Sequence, residues 1–118
     1  MKREIIQNVL ANSELDAEQQ LLLEQVMVLT ENLLALPEEI PEGRWLAMGH
    51  HLAEAIKRTL RSESLDPIDA ETMAQIESVY QEKGYQILRS MISVGENICS
   101  TPEVALFAIH LQCAANGF

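Results

Sequence analysis

Apolar residues recur every three or four positions along most of the chain, and nowhere do they alternate singly with polar ones. That period belongs to helices and excludes a sheet protein. The clearest stretch is Trp45–Arg58, where Trp45, Met48, Leu52, Ala55 and Ile56, with Leu60 just beyond, lie on one helical face. Leu52 and Ile56 mark the middle of that face. At about 100° per residue, His51 then falls at its border and His50 near the solvent side. Arg58 is seven residues past His51 and shares its flank. Taken alone, the stretch is explained by an ordinary amphipathic helix with incidental histidines.

The rest of the chain divides at its breakers. A short first helix is expected over about 2–11, with Ile5, Ile6, Val9 and Leu10 on one face. Asp16 followed by Gln19 fits an N-cap and its reciprocal partner. The second helix would run over about 17–36, with Leu22, Val26, Leu29, Leu33 and Leu36 as a core-facing seam, until Pro37 stops it. Residues 37–43 read as a linker, and about 44–62 as the third helix. Asp69 is the expected cap of a long fourth helix over about 70–94, with Gly84 as a candidate kink. Its stripe is Met73, Ile76, Tyr80, Ile87, Met91 and Val94, and Gly95 suits the position after its end. Thr101 would cap the fifth helix, with Pro102 in its first position and Glu103 facing the positive end of the dipole. Residues 104–115 are apolar nearly all round, the mark of a central, buried helix. The expected fold class is all-α, a compact bundle of about five helices in a single domain spanning 1–118.

Charge and cysteine usage narrow the function classes. Lysine and arginine total 8 against 18 aspartates and glutamates, a net charge of −10. Such a surface repels phosphate backbones, so direct nucleic-acid binding is not expected. Cys99 and Cys113 form no CxxC pair and read as free thiols in a reducing compartment. With neither a signal peptide nor an apolar run of membrane-spanning length, the expected location is the cytoplasm, with no membrane partner.

A second chemical cluster lies in the last helix. His110 sits within its apolar run, and Glu103, seven residues earlier, projects in nearly the same direction. A hydrogen-bonded core histidine is one reading. A site shared between two helices is the other, with His51 and Arg58 on one and His110 and Glu103 on the other. His110 with Cys113, together with His50 and His51, also offers zinc-type ligands, but at loose spacing, and no metal or cofactor is expected. No serine–histidine–aspartate set or glycine-rich phosphate loop is evident, so the chain is not expected to be an enzyme.

Two segments resemble motifs of the PTS regulation domain, the regulatory module of bacterial sugar-responsive antiterminators and activators. His51-Leu-Ala-Glu-Ala-Ile-Lys-Arg58 is similar to the family's His-(Leu/Ile)-x-x-Ala-(Ile/Leu)-x-Arg. Residues 102–110, ending in Phe107-Ala-Ile-His110, resemble Asp-Glu-(Ile/Val)-x-(Phe/Tyr)-x-x-x-His, with the aromatic displaced. Leu65-Asp-Pro-Ile68 looks like the Leu-Asn-Pro-Leu turn between them. The resemblance covers roughly residues 15–116. Where the family often has aspartates, this chain has His50 and Pro102. The resemblance implies a five-helix bundle that forms a homodimer, with His51 and His110 as phosphoryl acceptors and Arg58 and Glu103 supporting the site. It also implies a donor, either the phosphocarrier protein HPr or a sugar-permease B component, and a role in sensing sugar uptake for transcription antitermination. The alternative is a module that interacts or dimerises without phosphorylation and modulates a larger regulator of the same family.

Overall fold

The computed structural model describes residues 1–117. Among them are six α-helices and two short 3-10 turns, with no strand. The helices are α1 (Arg3–Ala11), α2 (Ala17–Leu34), α3 (Glu42–Leu60), α4 (Ala70–Ala74), α5 (Ser78–Arg89) and α6 (Thr101–Ala115). The 3-10 turns, Ile92–Val94 and Glu96–Cys99, carry the chain from α5 into α6. The fold is an all-α bundle. No helix is long and apolar enough to cross a membrane among the described residues.

Two of the three expected caps form. Asp16 and Gln19 form the reciprocal capping box of α2. The Asp69 carboxylate accepts from the Thr72 amide at 2.8 Å. At α6 the start lies one residue earlier than expected. Ser100 occupies the cap position, Thr101 and Pro102 are the first two helical residues, and no side chain bonds the free amides. On α2 the buried stripe is Leu23, Val26, Met27, Thr30 and Leu34. The heptad seam of Leu22, Leu29, Leu33 and Leu36 flanks it and is only half-buried. The helix also ends two residues before Leu36, with Ala35 in a left-handed conformation (φ 46°) ahead of Pro37. Leu60, placed on the apolar face of α3 by its spacing, is exposed.

The largest departure is the expected fourth helix. It is two helices, α4 and α5, broken at residues 75–77, and α5 continues through Gly84. The Gln112 side chain of α6 holds the break open. Its carbonyl accepts from the Glu77 amide at 2.8 Å, and its amide donates to the Gln75 carbonyl at 3.1 Å. Main-chain groups that a continuous helix would pair internally are thus satisfied from another element. Gly84 is buried against α6 instead of kinking the chain. A Cβ there would lie 3.4 Å from the Val104 carbonyl oxygen, so glycine lets the two backbones approach closely.

Helix α6 is the centre of the bundle. Its Phe107 and Leu111 are fully buried in the main core with Trp45, Met48, Leu52 and Ile56 of α3, Leu23 and Met27 of α2, and Ile87 and Leu88 of α5. Its Ala105 and Ala108 face the other way and form a smaller cluster with Ile76, flanked by Met73 and Tyr80. The apolar circumference of α6 is therefore used on two sides. Helices α3 and α6 run antiparallel across the main core, with the start of one beside the end of the other. That pairing positions the candidate site.

Candidate functional site

Arg44, His51 and Arg58 follow one another at seven-residue intervals along α3. Residues seven apart stand almost above one another on a helix, so the three share a stripe. Glu103 and His110 form the matching stripe on α6. Because the helices are antiparallel, Arg58 meets Glu103 at one end and Arg44 meets His110 at the other. His51 lies between them.

The Arg58–Glu103 pair is bidentate. Nε donates to Oε2 at 2.9 Å and an Nη to Oε1 at 2.8 Å. Glu103 is only 2% exposed. A buried carboxylate needs such a partner, and its charge in turn raises the pKa of the guanidinium, chiefly through the hydrogen bond. Arg44 places an Nη 3.3 Å from Nδ1 of His110, a half-buried residue. Burial first, and the Arg44 charge second, lower the pKa of His110.

His51 is the most enclosed member, 8% exposed. Its ring stacks on Phe107, with centroids 5.7 Å apart and planes 13° apart, and meets the His110 ring at 5.4 Å and 47°. Burial, then the neighbouring His110 and Arg58, push its pKa down to about 3, against a hydrogen bond to the Glu103 main chain that pulls the other way. At neutral pH the ring is uncharged. Its Nε2, 3.8 Å from Glu103 Oε1, makes a contact there and not an ion pair, and this buried nitrogen has no hydrogen-bond partner. Leaving such an atom unpaired costs about 1–3 kcal/mol, and its presence in a core calls for an explanation.

All four residues singled out in the sequence, His51, Arg58, Glu103 and His110, therefore come together. His50 does not: it is exposed, one residue and a quarter-turn from His51. Cys113 is also elsewhere, lining a separate recess with Thr72, Gln75 and Ile76. Among the described residues no three histidine, cysteine or carboxylate side chains are grouped so as to hold a metal ion. Sequence reasoning missed two participants. Arg44 was detectable as the preceding step of the His51–Arg58 heptad. Phe107 lies three residues before His110 on the same helix, but its stacking on His51 follows only from how α3 and α6 meet. In comparison with known proteins, the chain matches no family model, no curated protein and no solved structure.

Proposed function

We propose that the chain is a regulatory module of the PTS regulation domain type, which reports the state of sugar uptake through phosphorylation of its paired histidines. The observation that carries this reading is the meeting of His51 and His110, with ring centroids 5.4 Å apart between α3 and α6, and with one guanidinium against His110 and another against Glu103. Both rings are shifted toward the neutral form, which alone has a nucleophilic nitrogen. Arginine suits phosphoryl oxygens because its planar fork binds them in pairs. A phosphoryl group on His51 would bring nearly two negative charges close to Glu103, so Arg58 would be drawn between two anions. Such competition across the α3–α6 contact is a physical route from modification to a changed dimer or partner surface. On this reading HPr or a permease B component is the donor and a homodimer is the working unit. Incubation with the phosphorylated donor is expected to label the wild-type chain and to leave the His51→Ala/His110→Ala variant unlabelled. A wild-type chain that stays unlabelled rules the donor assignment out.

The sealed position of His51 Nε2 favours a second reading. The same bundle would serve as an interaction module that binds a larger regulator of the family without phosphorylation. Co-purification with that regulator, unchanged by either histidine substitution, distinguishes the two.

A further inference from the structure

The two histidines differ in what they offer a phosphoryl donor. His51 lies behind His110, stacked on Phe107, with its Nε2 closed to solvent. His110 is half-buried, and its Nδ1 faces the Arg44 guanidinium at 3.3 Å. A guanidinium has only donors. Nδ1 must then be the nitrogen with the free electron pair, and the ring proton resides on Nε2. We propose that His110 is the acceptor a donor reaches in this conformation, that Nδ1 is its reacting atom, and that Arg44 is the residue that selects this nitrogen and then binds the transferred phosphoryl group. This rests on the reading of the paired histidines between α3 and α6 as a phosphoryl site.

The step balances with the groups present. The Nδ1 electron pair attacks phosphorus, and the phosphorus–nitrogen bond of the donor breaks. The donor nitrogen leaves with the bonding pair and takes up a proton, while the Nε2 proton of His110 passes to solvent. The Arg44 donors shift from Nδ1 to the phosphoryl oxygens, where charge-assisted bonds are stronger than one to a neutral ring. His51 acts as the inner wall against which the His110 ring is held. Arg58 is already occupied by Glu103 and takes no part in this first transfer.

The test uses phosphoramidate, a small phosphorus–nitrogen donor that needs no protein partner. The full chain carries His50→Gln to remove the exposed bystander. Phosphorus NMR and peptide mapping should place the label on Nδ1 of His110, with His51 unlabelled while the chain is folded. His51→Gln should keep the label and His110→Gln should lose it. Arg44→Ala should slow labelling at least about tenfold, a modest part of the roughly hundredfold or greater loss seen when one donor to a developing anion is removed. Mapping the unmutated site protects the test against a variant that fails to fold. Label on His51, label on Nε2 of His110, an Arg44→Ala rate equal to the parent's, or no label at all overturns the inference. Labelling by phosphoramidate but not by HPr or the permease component would instead defeat the donor assignment and leave this inference standing.

Discussion

His51 shows how one side chain couples the site to the stability of the fold. Free in an unfolded chain its imidazole titrates near 6.5, and in the core near 3. Between those values the unfolded chain binds a proton that the native chain does not. Stability is therefore fully present above pH 6.5 and falls as pH drops through this window. The slope from this one group is at most about 1.4 kcal/mol per pH unit. His51→Gln, which cannot titrate, should flatten the urea midpoint between pH 7 and pH 5 relative to wild type. Equal slopes in the two proteins would mean that the ring is hydrated in the native state. His51 was legible as the more sheltered of the adjacent histidines because a quarter-turn separates neighbours on a helix. Its stacking on Phe107 and its unpartnered Nε2 were not, since both depend on where another helix comes to rest.

At the scale of elements, α3 and α6 are tied by a charge pair set into an apolar contact. Removing the cation alone leaves the Glu103 carboxylate buried without a partner. Arg58→Ala should destabilise by about 3 kcal/mol, while Arg58→Met with Glu103→Leu should recover most of the loss or exceed wild type. Thermal unfolding of the two variants decides this, and equal destabilisation by both would show that packing, not charge, dominates the contact. Helix boundaries reveal the same division between local and distant causes. The caps at Asp16 and Asp69 depend on amides three residues away and were readable. The break at residues 75–77 depends on Gln112, 35 and 37 positions distant, and no local pattern announced it. The leucine heptad of α2 misled for a related reason. Several faces of that helix carry leucine or valine, and its neighbours, α1, α3 and α5, select Leu23, Met27 and Leu34 for burial.

Across the whole molecule, α6 contributes to both apolar clusters, so neither can loosen while the other persists intact. Unfolding should be one cooperative transition. Fluorescence of Trp45, 1% exposed in the main core, should change at the same urea concentration as far-ultraviolet dichroism, which averages over all helices. An earlier loss of dichroism would show that the α4–α5 side melts separately. The sequence alone determined the helical class, all five expected helix starts to within two residues, and the shared flanks of His51 with Arg58 and of Glu103 with His110, because each follows from spacing along one helix or from a cap a single turn away. Tertiary structure decided the split of the fourth helix, the face of α2 that is buried, the entry of Arg44, and the difference between a buried His51 and a half-buried His110. Those outcomes depend on the angle and depth at which α6 packs between α3 and α5, a geometry set by contacts between residues far apart in the chain.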